Sequence, residues 1–183
     1  ANTGAARVPA RKLIYGPHPV FRQKAEPITD VDEDVRDLIA DMFDTLYDER
    51  GVGIGANMIG ILRRVIVVDL QDGGVRAPLA LINPEVLECS EETQTITEAS
   101  LSFPGISAEI TRPKTIKVTY LDQTGTPRVL EADGYLATVI QHEMDYLDGR
   151  IFLDHLSRLK RESLLRKAEK YRARIGLQNS TRL

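Results

Sequence analysis

Apolar positions recur at helical spacing between residues 32 and 49, where Val35, Leu38, Ile39, Met42 and Leu46 share one face. Acidic residues at positions 32 to 34 suit the start of that helix. The same reasoning predicts a second helix from about Tyr135 to Leu147, stopped by Gly149, and a third from about Leu156 to Ile175. The chain therefore has three predicted helices.

Short β-branched or alternating runs occupy most of the chain between the first two helices. They predict strands at 65–68, 79–82, 86–90, 94–98, 107–110, 115–121 and 128–132. The first two would pair as a hairpin through Asp72-Gly73-Gly74, and Asn83-Pro84 would end the second. Strands grouped without a strand-helix rhythm indicate an α+β fold with mostly antiparallel sheet.

Composition limits the class of protein. The chain has 183 residues, 42% of them hydrophobic, which is enough for one core. We expect a flexible leader at 1–12, a single domain at 13–176 and a disordered tail at 177–183. The lone Cys89, expected to be half-buried in a strand, cannot form an internal disulfide, and no apolar run is long enough for a membrane span. A reducing, cytoplasmic location is the expectation, with no membrane and no DNA partner.

Charge is unevenly distributed. The net charge is −3, yet from Ser157 onward there are nine basic and two acidic residues. A basic terminal helix fits either docking on a polyanion such as RNA or an ordinary solvated face, and the sequence leaves both open.

The most specific chemical signal is the segment Gln141-His142-Glu143 followed by Tyr146. In an H-E-x-x-H helix, two imidazoles one turn apart bind a metal, and the Glu acts as general base. Here Tyr146 stands in place of the second imidazole, and it shares a helix face with His142.

Two upstream segments add to this signal: a glycine-rich loop from Gly51 to Met58 and the segment Glu98-Ala99-Ser100-Leu101-Ser102. Together with the helix, they resemble the peptide deformylases, which carry a G-x-G-x-A-A-x-Q loop, an E-G-C-L-S segment and a Q-H-E-x-D-H-L helix in this order. The resemblance covers roughly residues 13 to 175. It implies antiparallel sheets packed around a central motif-bearing helix, with the helical C-terminus of the bacterial type, which docks on the ribosome.

The resemblance also assigns roles to individual residues. It implies that Glu143 is the general base, that the backbone N–H of Leu101 binds the developing oxyanion, and that Gly53 and Met58 occupy substrate-binding positions. The substrate of the family is the formylated N-terminal peptide of a nascent chain.

The metal ligands of the family fall on Ser100, His142 and Tyr146, and only the histidine is retained. Hydroxyl and phenol groups lose their protons far less readily than a thiol, so they are poor ligands for Fe2+ or Zn2+. We expect Tyr146 to fill the metal position and to hydrogen-bond Ser100 or Glu143.

Three interpretations remain open. The chain is a degenerate deformylase-like protein that acts by binding, without a metal; or it is an active hydrolase that uses Glu143 with an unusual Fe2+ or Zn2+ site; or Ser100 and His142 form a nucleophile and base without a metal. We expect Met58 to contribute packing, and His18 and His155 to be surface or loop residues.

Overall fold

A computed structural model describes residues 11–179. The expected leader therefore falls almost wholly outside the described residues, as do positions 180–183 of the expected tail. Within the described range lie three helices: α1 (Glu33–Asp48), α2 (Gly134–Leu147) and α3 (Arg158–Ile175). The strands are β1 (Gly53–Gly55), β2 (Val65–Val68), β3 (Leu79–Cys89), β4 (Thr93–Glu98), β5 (Ala108–Pro113), β6 (Thr115–Leu121) and β7 (Pro127–Asp133).

All pairings between these strands are antiparallel. β1, β2, β3, β6 and β7 form a five-stranded sheet in that order, and β4 and β5 form a two-stranded sheet. The α+β prediction is therefore confirmed. The predicted hairpin between β2 and β3 is present, with Val65 opposite Ile82 and a short 3-10 turn at Asp72–Gly74.

The predicted end of a strand at Asn83-Pro84 was wrong. The predicted strands at 79–82 and 86–90 are a single strand, β3, because Asn83 bends it without ending it. Asn83 has a φ of 51° and its side chain exchanges two hydrogen bonds with the backbone of Ile28, while the register with β6 shifts at this point. Cys89, expected to be half-buried, is exposed, because every residue of β3 from Glu85 onward is exposed.

β1 was not predicted, because it lies in a segment that the sequence indicated to be a loop. Its three residues, Gly53 to Gly55, are too few and too glycine-rich to give a period-2 signal. β1 nevertheless pairs with β2 at the edge of the large sheet.

α2 lies at the centre of the fold and contacts strands of both sheets. Its residues join two apolar clusters: Tyr146 packs in one, and Val139, Ile140 and Leu147 pack in the other. This burial on several sides explains why α2 is more apolar than the amphipathic α1.

α3 begins after Ser157, whose hydroxyl accepts a hydrogen bond from the N–H of Lys160. Near its C-terminal end, Tyr171 lies against Gly105, where a Cβ atom would come within 2.3 Å of the ring. Arg172 donates to the carbonyl of Gly16 at 2.9 Å, and Asn179 exchanges two hydrogen bonds with the backbone of Tyr15. Arg172 and Asn179 are thus fixed to the segment at Tyr15 and Gly16. No helix among residues 11–179 is both long and apolar enough to cross a membrane.

Candidate active site and its cavity

α2 carries His142, Glu143 and Tyr146 into the interior, where each is 5% exposed or less. The helix ends directly after them because Gly149 adopts a φ of 72°, and a Cβ there would come within 2.9 Å of the Arg22 backbone. Glycine is the residue that takes this conformation at no steric cost. The turn therefore fixes the end of the helix beside the N-terminal segment.

The hydroxyl groups of Ser100 and Tyr146 are 2.6 Å apart and share one hydrogen bond. Ser100 Oγ also accepts a hydrogen bond from the N–H of Ser102 at 3.2 Å. The bond predicted between Tyr146 and either Ser100 or Glu143 is thus confirmed, with Ser100 as the partner. It joins two of the three positions at which the resemblance places metal ligands.

Tyr146 is fully buried and packs its ring against two others, with centroid distances of 5.4 Å to Phe21 and 5.6 Å to His142. Burial, and next the charge of Glu143, raise the pKa of the phenol well above its ordinary value, although the bond to Ser100 opposes this rise. Tyr146 is accordingly a neutral hydroxyl group in the interior.

A buried charge network lies beside this pair. Arg112, on β5, donates to both carboxylate oxygens of Glu98 at 2.7 and 3.0 Å, and to Asp145 at 2.9 Å. Asp145 also pairs with Nε2 of His155 at 2.9 Å. The network ties both strands of the small sheet to α2, because Glu98 belongs to β4, Arg112 to β5 and Asp145 to α2.

His142 joins the network through Nδ1, which is 2.8 Å from Glu98. Burial alone would raise the pKa of Glu98, but hydrogen bonds from His142 and Arg112 outweigh burial and lower it. Because Glu98 is then a carboxylate that only accepts, Nδ1 of His142 carries the proton. The other ring nitrogen, Nε2, faces Glu143 at 3.7 Å from its Oε1.

Glu143 is the least satisfied group in the site. Its Oε2 atom is buried without a hydrogen-bond partner among the described residues, and 3.7 Å is too long for a hydrogen bond between Oε1 and His142. Burial raises the pKa of Glu143 to about 7. Near neutral pH this carboxyl group can therefore both take up and release a proton.

A cavity of about 500 Å³ opens over these groups. Its polar end includes Ser100, His142 and Glu143, and its walls include Leu101, Val139 and Pro104. Gly53 of β1 and Thr97 of β4 lie on it, and each of these strands has a single neighbour in its sheet. Tyr15 and Leu177 also line the cavity, so both ends of the described chain contribute to its wall.

Five of the predicted site residues line this cavity: Gly53, Ser100, Leu101, His142 and Glu143. Two do not. Tyr146 lies behind Ser100, and Met58 is fully buried, with its sulfur accepting a hydrogen bond from the N–H of Gly55 at 3.3 Å.

Sequence reasoning missed the roles of Arg112, Asp145 and His155. His155 is exposed, as expected, but it also contacts Asp145, and His18 caps the short 3-10 helix Pro19–Arg22. The contacts of Arg112 have no local signal in the sequence, because its partner Glu98 is 14 residues away on the neighbouring strand.

The donor set at the three ligand positions does not fit a divalent metal ion. Two of the three side chains are neutral hydroxyl groups bonded to each other, and His142 is the only good donor among them. Among residues 11–179, no cluster of three or more His, Cys, Asp or Glu side chains is arranged to hold a metal ion.

Comparison with known proteins gives concordant matches. The family model described as polypeptide deformylase matches residues 10–162. A "Peptide deformylase-like" protein of Rickettsia conorii is 51% identical over 89% of both chains, and a "Peptide deformylase" of Brucella suis is 42% identical over 87% of this chain and 92% of its own. Among solved structures, a peptide deformylase from Legionella pneumophila matches with a TM-score of 0.85 and 36% identity, covering 92% of this chain and 99% of its own.

Proposed function

This chain belongs to the polypeptide deformylase family, and we propose that it uses the family's groove to bind the N-terminal peptide of nascent chains without metal-dependent deformylation. The observation that carries this proposal is the 2.6 Å hydrogen bond between Ser100 and Tyr146. It occupies both hydroxyl groups at positions where an active site would present ligands to a metal ion.

The cost of ionising these groups supports the proposal. To act as an anionic ligand, Tyr146 must lose a proton from a phenol whose pKa burial has raised, and it must give up its bond to Ser100. A metal ion would therefore bind weakly. Without it, water near Glu143 keeps its high pKa, and removal of its proton by a carboxyl group is slow.

Three further residues of this chain differ from the family motifs. Met58 stands at the position of the substrate-binding glutamine, and its sulfur is directed to the backbone of Gly55. Ala99 and Gly55 also replace motif residues. The name "Peptide deformylase-like", carried by the Rickettsia conorii relative, agrees with a divergent group inside the family.

The groove itself suits an extended peptide. β1 and β4 are both edge strands, and both face the cavity through Gly53 and Thr97. A peptide can add to an exposed strand edge through main-chain hydrogen bonds, while side-chain pockets give specificity. The apolar walls at Leu101 and Val139 would receive the first side chain of the peptide.

As part of this proposal, the protein works in the cytoplasm, close to the ribosome, through α3. From Arg158 to Arg174 this helix carries eight basic residues, which would meet RNA phosphates. Cosedimentation with ribosomes tests this, and replacing Lys167 and Lys170 by Glu should reduce the bound fraction.

One observation favours an active hydrolase as the second candidate. Glu143 is buried at the cavity with a pKa of about 7, which suits a general base near neutral pH. Relatives such as that of Brucella suis are named peptide deformylases. In this alternative, Glu143 would accept a proton from water beside the formyl group.

The deciding experiment measures formate release and peptide binding on the same preparation, purified anaerobically and analysed for Fe and Zn. We expect binding of a methionyl peptide, less than one metal ion per chain and no formate. Thr97→Trp, at the exposed cavity edge of β4, should weaken binding, while Thr93→Trp, exposed on the same strand but outside the cavity, should not. Steady formate release that disappears in Glu143→Ala would establish the second candidate instead.

A further inference from the structure

We infer that the polar end of the cavity selects peptides whose α-amino group is free, in preference to peptides whose amino group is formylated. This inference rests on the proposed function, because it assumes that the groove holds the N-terminus of a peptide. Its ligand class is a primary ammonium group attached to an apolar first residue.

The first observation is the unpartnered oxygen of Glu143. The side chain is 4% exposed and lines the cavity, yet Oε2 has no hydrogen-bond donor in the described part of the chain. A buried acceptor without a donor is costly, so native structures rarely leave one unpaired. The missing donor is one that a ligand in the cavity can supply.

The second observation is the balance of charge around that oxygen. Besides burial, the charges of His142 and Arg112 lower the pKa of Glu143, whereas those of the carboxyl groups of Glu98 and Asp145 raise it. Arg112 directs its hydrogen bonds to Glu98 and Asp145. Glu143 is thus the carboxyl group of this cluster for which the arginine provides no hydrogen bond.

His142 provides no hydrogen bond to this carboxyl group either. Its Nδ1 is bonded to Glu98, and its Nε2 lies 3.7 Å from Oε1 of Glu143, which is too long for a hydrogen bond. An ammonium group supplies three N–H donors and a positive charge to this end of the cavity. A formylated terminus supplies one uncharged N–H and adds a carbonyl oxygen, which is another acceptor.

The position of β1 would direct the N-terminus of a bound peptide toward the carboxyl group of Glu143. Gly53 lies so close to α2 that a Cβ atom would come within 3.1 Å of Glu143 Cγ and 3.0 Å of Val139 Cγ1. A peptide that pairs with the edge of β1 at Gly53 therefore runs directly past the carboxyl group. Its first side chain meets Val139 and Leu101, while its amino group meets Glu143.

The test compares Met-Ala-Ser with formyl-Met-Ala-Ser, each carrying the same C-terminal fluorophore, by fluorescence anisotropy in buffer with a chelator. We expect the free-amine peptide to bind about tenfold more tightly, the ratio expected for one hydrogen bond to a charged group. Glu143→Gln keeps the side-chain volume and removes the carboxylate, so it should abolish the preference and bring the two affinities within about twofold of each other. Glu131→Gln, an exposed residue of β7 outside this cavity, serves as the control and should keep the preference.

Equal affinities, tighter binding of the formylated peptide, or a preference that survives Glu143→Gln would overturn this inference while leaving peptide binding intact. Binding of neither peptide would remove the proposed function and the inference together. Thermal unfolding of each variant, followed by circular dichroism, separates loss of binding from loss of folding.

Discussion

Removing the hydroxyl groups of Tyr146 and Ser100, singly and together, should reveal an interaction energy of about 1 to 2 kcal/mol in the free energy of unfolding. Tyr146→Phe leaves the ring and its packing in place, so it costs only the net value of one buried hydrogen bond, about 1 kcal/mol. The two atoms are 2.6 Å apart and Tyr146 is fully buried, so water does not replace the lost partner.

Ser100→Ala should cost more, about 2 to 3 kcal/mol, because it leaves the buried phenol without a partner and also removes the acceptor for the Ser102 N–H. The double variant has no unpaired phenol, so its cost should fall below the sum of the two single costs by the interaction energy. The chain has no tryptophan, so urea unfolding is best followed by far-ultraviolet circular dichroism.

A matched control lies on the small sheet, where the exposed hydroxyl groups of Thr95 and Thr111 are 2.7 Å apart. Replacing both threonines by valine should give an interaction energy below about 0.5 kcal/mol, since water can satisfy either group. If the interaction energy of the Ser100 and Tyr146 pair is equally small, or if it changes on adding a chelator, the assignment of a direct internal bond in place of a metal is wrong.

Three further predictions concern the same region. Arg112→Met should destabilise the protein by about 3 to 5 kcal/mol in urea unfolding, because it leaves the Glu98 carboxylate buried without its main partner, and adding Glu98→Gln should recover part of the loss. Burial raises the pKa of Glu143 from 4.5 to about 7, so the folded state binds an extra proton between these values. As pH rises through this range, the native protein should lose about 3 kcal/mol more stability than Glu143→Gln, whereas parallel stability curves would contradict the shift. Ser100→Cys combined with Tyr146→His restores a thiolate and an imidazole, so the purified double variant should retain about one Zn2+ per chain by elemental analysis. Equal zinc content in the native protein would contradict the argument from its donor set.

The helices were predictable from the sequence because their signals are local. Asp32 and Ser157 cap α1 and α3, and Gly149 follows the end of α2 where the sequence places it. β1 and the continuity of β3 were not predictable in the same way. β1 depends on pairing with β2, and the bend at Asn83 depends on hydrogen bonds to Ile28, 55 residues away.

The candidate site was also predictable only in part. The motif spacing placed His142, Glu143 and Tyr146 on one helix, and the resemblance brought Ser100 to them. The charge network around Arg112 could not be foreseen, because it joins β4, β5 and α2 through side chains up to 44 residues apart. The sequence also could not indicate that Oε2 of Glu143 lacks a hydrogen-bond donor, because this depends on how the neighbouring side chains are arranged in the fold.

The two hydrogen bonds between Tyr15 and Asn179 have a practical consequence for labelling. Since Tyr15 and Leu177 both form the cavity wall, a fluorophore attached at Gln178 would stand beside the cavity and report its occupancy by a change in emission. For the same reason, foreign residues inserted next to Leu177 would lie near the ligand. Tags are therefore best removed before any affinity is measured, or moved to the turn at Asp72–Gly74, whose residues are exposed and do not line the cavity.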